Sequence, residues 1–204
     1  MSSRNNPPTN NAIMKMLEKR NKRRLLLALY ARPRHPDSYH YAILITPKIT
    51  PKDNPPIPAT KYHVKNTLTN TEAGLSQPWR FEQSSLENIH DDPRMLVAVV
   101  VGKVLSVEMV EEVFRRTPIY QADDPDRDRA SEFDCRTWVR DALEGVRGSG
   151  GVSGLMEWET LEEQALRYVR EKKAEGRWTA GGAVGGGDKR VAMLDLFTRR
   201  EIYV

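Results

Sequence analysis

The sequence has only one cysteine among its 204 residues, Cys135. A single cysteine cannot form an internal disulfide or a zinc site built on several thiolates. The chain also lacks an apolar run long enough to cross a membrane, and its first residues lack the apolar core of a signal peptide. These absences lead us to expect an intracellular protein, in the cytoplasm by default, without a metal or other cofactor.

Charge is unevenly distributed along the chain. The net charge is +4, whereas residues 1–24 contain seven basic residues against one acidic residue and carry +6, so residues 25–204 carry −2. We expect residues 1–23 to form a flexible basic extension and residues 24–204 to form one domain. The extension could contact RNA or a protein partner, or could be a solvated segment that binds nothing. The basic residues for such a contact are Arg20, Lys22, Arg23 and Arg24.

Hydrophobic patterning predicts strands in the first half of the chain and helices in the second. The predicted strands cover residues 24–31, 40–46, 61–65, 79–83 and 95–104. One predicted helix starts after Ser106 and ends before Pro118, and two more cover residues 135–147 and 157–175. Residues 191–197 and 201–204 form a final helix or an edge strand. This order predicts an α+β fold in which a mainly antiparallel sheet packs against helices. We expect the acidic segment 121–132 and the glycine-rich segment 180–187 to be mobile, solvated loops.

Cys135 lies in the first turn of a predicted helix. Unpaired backbone N–H groups and the helix dipole favour a thiolate at such a position. The neighbouring carboxylate of Asp134 would oppose thiolate formation. The same helix face carries Val139 and Leu143, so Cys135 is either a nucleophile or a small apolar residue of the core.

Two of the four histidines lie in predicted strands, beside tyrosines. His40 opens the second strand before Tyr41, and His63 lies within the third strand. If these strands pair, the two imidazoles can lie a few ångströms apart, and a helix packed on the sheet could bring Cys135 to them. The other two, His35 and His90, lie in turn-like segments, where we expect them to be solvated.

The order of these residues resembles that of the circularly permuted papain-like superfamily, which includes lecithin:retinol acyltransferase-like proteins. In that superfamily a His-aromatic pair opens a strand, as His40-Tyr41 does here, a second polar residue follows, as His63 does, and a cysteine begins a helix, as Cys135 does. Residues 24–204 are also similar to an uncharacterised fungal protein family, in motifs such as Tyr-His-Val-Lys and Cys-Arg-Thr-Trp-Val-Arg. The first resemblance implies a permuted papain-like fold, and the second implies no activity.

The leading hypothesis is a thiol-dependent acyl hydrolase or acyltransferase that acts on an amide, ester or thioester carbonyl. Cys135 would attack the carbonyl, His40 would act as general base and then acid, and His63 would orient His40, while backbone N–H groups at the helix start would stabilise the oxyanion. The candidate substrate-binding residues are Tyr41, Glu82, Arg136 and Trp138. Two alternatives are a non-catalytic module whose basic arm contacts RNA or a protein, and acyl transfer from an aminoacyl-tRNA.

Overall fold

The computed structural model describes residues 22–36, 38–49, 56–71, 74–178 and 190–203. Its strands are β1 (Arg24–Ala31), β2 (Tyr39–Thr46), β3 (Ala59–Lys65), β4 (Thr69–Thr71), β5 (Gly74–Ser76), β6 (Arg80–Leu86), β7 (Met95–Val104), β8 (Val152–Ser153), β9 (Ala192–Asp195) and β10 (Arg200–Tyr203). Its helices are α1 (Val107–Arg116), α2 (Arg127–Glu132), α3 (Cys135–Ser149) and α4 (Trp158–Ala174). Most of the N-terminal extension, with Arg20, and the glycine-rich segment lie outside the described residues.

An eight-stranded sheet organises the fold. Its strands follow the order β10-β9-β7-β1-β2-β3-β6, with β8 paired to the end of β7, while β4 and β5 form a separate hairpin. Strand pairs in the large sheet are antiparallel except β7 and β9, which run parallel. The predicted α+β class with a mainly antiparallel sheet is therefore confirmed. Among the described helices, none is long and apolar enough to cross a membrane.

The central strands are buried on both faces, which explains their unbroken apolar sequences. Alternate side chains of β1 belong to two separate cores. Leu27 and Leu29 pack with residues of α3 and α4 in what we call the helix-side core. Leu26 and Ala28 pack on the opposite face, with residues of β2, β7 and β9, in what we call the far-side core. A residue's parity along a strand thus decides which of the two cores it enters.

Helix α3 is fixed at both ends by local sequence. The Asp134 carboxylate accepts hydrogen bonds from the backbone N–H groups of Arg136 and Thr137, both at 2.8 Å, and the Thr137 hydroxyl accepts one from the Asp134 N–H at 2.8 Å. Gly150, with φ of 75°, provides the left-handed residue that ends the helix. The buried face of α3 consists of Cys135, Trp138, Val139, Ala142, Leu143 and Val146.

Two sequence-based expectations need correction. The acidic segment is exposed, but it contains α2, because Asp126 caps a helix by accepting a hydrogen bond from the N–H of Arg129 at 3.1 Å. His90 is not simply solvated, because its Nδ1 accepts a hydrogen bond from the N–H of Val191 at 2.9 Å.

Candidate functional site

Three neighbouring strands bring two histidines and a carboxylate into one hydrogen-bonded series, which we call the histidine chain. The Nε2 atom of His40 on β2 lies 2.7 Å from Nδ1 of His63 on β3. The Nε2 atom of His63 lies 3.2 Å from Oε1 of Glu82 on β6, its partner in the strand register. The other oxygen of Glu82 forms an ion pair with Lys65. The histidine chain therefore runs from the start of β2 to the edge of the sheet.

The hydrogen-bond partners assign the position of each proton. The Glu82 carboxylate only accepts, so Nε2 of His63 carries a hydrogen and its Nδ1 is an acceptor. Nε2 of His40 must then donate to Nδ1 of His63. This arrangement leaves the Nδ1 lone pair of His40 as the basic atom of the histidine chain.

Burial keeps both imidazoles neutral near pH 7. Burial lowers the pKa of His40 to about 3, and the nearby charges of His63, Lys61 and Arg32 act in the same direction. Burial also lowers the pKa of His63, although the hydrogen bond to Glu82 opposes this change. Both imidazoles are therefore uncharged, and the free lone pair on Nδ1 of His40 is the position that would take up a proton.

Cys135 is a buried, neutral thiol in this structure. Its side chain lies in the helix-side core, and the residue is 5% exposed. Burial raises the pKa of the thiol, the backbone N–H of Tyr41 lowers it as a donor to the sulfur, and the charge of Asp134 raises it. Burial is the main influence against a thiolate at this position, and Asp134 also occupies the N–H groups of Arg136 and Thr137 that would favour one.

The thiol lies beside the first residues of β2, where the histidine chain begins. The N–H that interacts with the Cys135 sulfur belongs to Tyr41, the residue after His40. Pairing between β2 and β3 starts only at Ile43, so the preceding residues of β2 have an open edge toward β3. The charge of Arg32 lowers the pKa of both Cys135 and His40, which is consistent with this proximity.

The two reactive groups reach the start of β2 from opposite faces of the sheet. Tyr41 and Cys135 belong to the helix-side core. His40 has the opposite parity, and its ring lies 5.9 Å from that of Tyr30 in the far-side core. The structure therefore brings His40 to His63 and places Cys135 on the other face of the sheet.

Two of the predicted substrate-binding residues bind a third residue instead. The Tyr41 hydroxyl donates a hydrogen bond to Oε1 of Glu162 at 2.9 Å, and the Arg136 guanidinium binds both oxygens of Glu162 at 2.5 Å. Trp138 is fully buried, with its ring 5.6 Å from that of Phe81. Trp138 therefore belongs to the core and has no surface to offer a substrate.

Sequence reasoning missed Glu162, although the sequence contains a signal for it. Glu162 lies one turn after Trp158 and beside Leu161, on the face of α4 that an amphipathic pattern assigns to the core. A charged residue on such a face needs a buried partner. The sequence cannot show that the partners are Tyr41 and Arg136, because they are on other elements of the fold.

Two open cavities border α3 on its outer side. The larger, of about 730 Å³, is lined by residues that include Tyr120, Phe133 and Thr137. The smaller, of about 340 Å³, is lined by residues that include Arg136 and Glu162. Within the described residues, no group of three or more histidine, cysteine, aspartate or glutamate side chains is arranged to bind a metal ion.

Comparison with known sequences gives a family. No curated protein and no solved structure matches the chain. A family model matches residues 22–203, a range that begins just before β1, ends with β10 and includes Cys135 and the whole histidine chain. The chain therefore belongs to this family, a family of unknown function designated DUF6914.

Proposed function

We propose that the protein is a thiol-dependent acyl hydrolase or acyltransferase of permuted papain-like design, with Cys135 as its nucleophile. The observation that supports the proposal is the interaction of the Cys135 sulfur with the N–H of Tyr41, the residue that follows His40 in the chain. His40 is in turn bonded to His63. Such chemistry needs a nucleophile, a base and a group that orients the base, and these residues fit the three roles.

The first step joins the thiol to a substrate carbonyl. The Cys135 sulfur forms a bond to the carbonyl carbon, while its proton passes to Nδ1 of His40 across the open edge of β2. Because thiol and imidazole start neutral, this transfer creates a positive charge on His40. The bond to His63 and the carboxylate of Glu82 stabilise that charge.

Two backbone N–H groups are available for the oxyanion. The first-turn donors expected from the sequence are those of Arg136 and Thr137, but both bind the Asp134 carboxylate. The N–H groups of Cys135 and Tyr41 both interact with the sulfur, and each lowers its pKa. These two N–H groups would donate hydrogen bonds to the oxyanion of the tetrahedral intermediate.

The second half of the reaction releases the acyl group. The tetrahedral intermediate collapses to a thioester on Cys135, and the leaving amine, alcohol or thiol takes the proton from His40. Water or another nucleophile then attacks the thioester, with His40 again as the base. Water yields a carboxylic acid and makes the protein a hydrolase, whereas an amine or alcohol yields a transferred acyl product.

The proposal is tested with the Cys135→Ala variant. Wild type and variant are incubated with a library of p-nitrophenyl esters, thioesters and amino-acid anilides, and intact mass is recorded with turnover. We expect an acyl adduct and turnover in wild type, and neither in the variant. Because Cys135 is the only cysteine in the sequence, a thioester adduct can form at no other residue.

Histidine variants give the matched control. His40→Ala is expected to remove turnover, whereas His35→Ala, at an exposed position outside the histidine chain, is expected to keep it. Equal turnover of wild type and Cys135→Ala across the library would contradict the proposal.

A further inference from the structure

We propose that Glu162 is a positioning residue that holds the start of β2, with His40, against the first turn of α3, with Cys135, an inference that rests on the proposed function. Glu162 binds the residue that follows each of them in the chain. Tyr41 follows His40, and Arg136 follows Cys135. We call the three residues Tyr41, Arg136 and Glu162 the carboxylate clamp.

The carboxylate clamp joins three elements through one carboxylate. Oε1 of Glu162 on α4 accepts hydrogen bonds from the Tyr41 hydroxyl on β2, at 2.9 Å, and from Nε of Arg136 on α3, at 2.5 Å. Oε2 accepts a hydrogen bond from a terminal guanidinium nitrogen of Arg136, also at 2.5 Å. This two-pronged contact fixes the orientation of the guanidinium plane as well as its distance.

The surroundings of the carboxylate clamp restrict it to one arrangement. Glu162 is 7% exposed, and a carboxylate buried to that extent is unfavourable unless its partners stay in place. The ring of Trp158 packs beside both partners, with its centre 6.3 Å from that of the Tyr41 ring and 5.9 Å from the Arg136 guanidinium. Movement of either partner would leave the buried Glu162 carboxylate with fewer of the contacts that offset its burial.

The carboxylate clamp acts on the reactive groups through the backbone. Tyr41 is held at its hydroxyl by Glu162, while its own N–H interacts with the Cys135 sulfur. Arg136 anchors the first turn of α3, which carries the sulfur. Loss of the carboxylate would remove the contact that joins Tyr41 of β2 to Arg136 of α3, and a misplacement of about 1 Å can cost about 100-fold in rate.

This role differs from that of an ion pair that only supports folding. Lys172, also on α4, is 3% exposed and lies 2.6 Å from a carboxylate oxygen of Glu201 on β10, away from the thiol. The Glu201→Gln variant therefore removes a carboxylate from a buried lysine on the same helix. It provides a matched control for Glu162→Gln.

The experiment compares these two variants with wild type in three measurements. They are kcat and KM on the best substrate of the acyl library, the pH dependence of Cys135 alkylation by iodoacetamide, and the free energy of unfolding in urea. For Glu162→Gln we expect kcat to fall about 100-fold, KM to change less than about 3-fold, and the alkylation profile to shift. For Glu201→Gln we expect a loss of stability with unchanged kcat and alkylation.

A milder variant keeps the test decisive if Glu162→Gln fails to fold. Tyr41→Phe removes one hydroxyl from the carboxylate clamp and keeps the ring against Trp158. We expect it to lower kcat about 10-fold and to shift the alkylation profile in the same direction.

The outcomes separate this inference from the proposed function. Turnover by Cys135→Ala would refute the proposed function, and the inference with it. An inactive Cys135→Ala beside a folded Glu162→Gln or Tyr41→Phe with wild-type kcat would refute the positioning role alone. Equal losses of kcat in Glu162→Gln and Glu201→Gln would also refute it, because the loss would then follow stability rather than position.

Discussion

The two faces of the central sheet handle polar groups in different ways. On the helix side, the Glu162 carboxylate is enclosed and held by Tyr41 and Arg136. On the far side, the histidine chain leads outward from the buried His63 to Glu82, whose side chain is 36% exposed. The helix side is therefore suited to holding atoms in position, and the far side to moving charge toward solvent.

Burial favours neutral groups on both faces, with opposite effects on acids and bases. It raises the pKa of the Cys135 thiol on the helix side. It lowers the pKa of His40 and His63 on the far side. A proton transfer at the start of β2 would thus create two charges where none existed. The new positive charge would form on the far side. There a hydrogen-bonded path leads from His40 through His63 to the Glu82 carboxylate.

The largest expected effect tests the rigidity of the helix side. Trp138 is fully buried and packs against Phe81 and Phe114, so Trp138→Ala leaves a large cavity and should lower the free energy of unfolding by about 3–5 kcal/mol. Urea unfolding followed by circular dichroism measures the change. The control is Trp178→Ala, since Trp178 is only partly buried. Equal losses in both variants would mean that the helix side is no better packed than the periphery.

The next effect tests charge transfer on the far side. His63→Gln keeps a hydrogen-bonding side chain beside His40 but removes the imidazole that accepts the proton of its Nε2. We expect kcat to fall about 100-fold, which is the lower end of what a general acid–base partner contributes. Steady-state kinetics on the acyl substrate measures it. A folded His63→Gln variant with wild-type kcat would show that the far side plays no part in the reaction.

The sequence predicted the parts of the fold that depend on local pattern. The bounds of β1 and β7 are confirmed as predicted, because each strand coincides with one long apolar run of the sequence. The N-cap of α1 is also confirmed, since the Ser106 hydroxyl accepts a hydrogen bond from the N–H of Met109. The hairpin β4–β5 and helix α2 were not predicted, because their short polar sequences carry no hydrophobic period.

The candidate site was predictable only in part. Histidines in strands that pair can be expected to lie together, and His40 and His63 do. The parity of His40 and Tyr41 also predicts that they face different cores. The sequence could not show that Cys135 approaches from the Tyr41 side, because that depends on how α3 packs on the sheet.

A smaller effect on the far side appears as a pH dependence of stability. The folded protein holds the pKa of His40 and His63 below the ordinary value of about 6.5, so the unfolded chain binds more protons as the pH falls below that value. Their contribution to stability is present above pH 6.5 and is lost toward lower pH, with a slope of up to about 1.4 kcal/mol per pH unit for each proton.

Urea unfolding at pH 7, 6 and 5 measures this slope. His40→Gln should flatten it, and His35→Gln, at an exposed position, should leave it unchanged. Stability that does not change between pH 7 and pH 5 in wild type would contradict the buried, neutral state of the two imidazoles.

The smallest expected effect comes from changing glutamate to glutamine on the far side of the sheet, at Glu82, for comparison with the same change on the helix side. Glu82→Gln keeps an oxygen that can accept from His63, and the exposure of Glu82 lets solvent screen the lost charge, so we expect kcat to fall only about 3-fold. The same change at the enclosed Glu162 is expected to cost about 100-fold. Kinetics of both variants at low and at high salt separate the two cases, because screening weakens the Glu82 effect alone. Equal losses at both positions would mean that the two faces do not divide positioning from charge transfer.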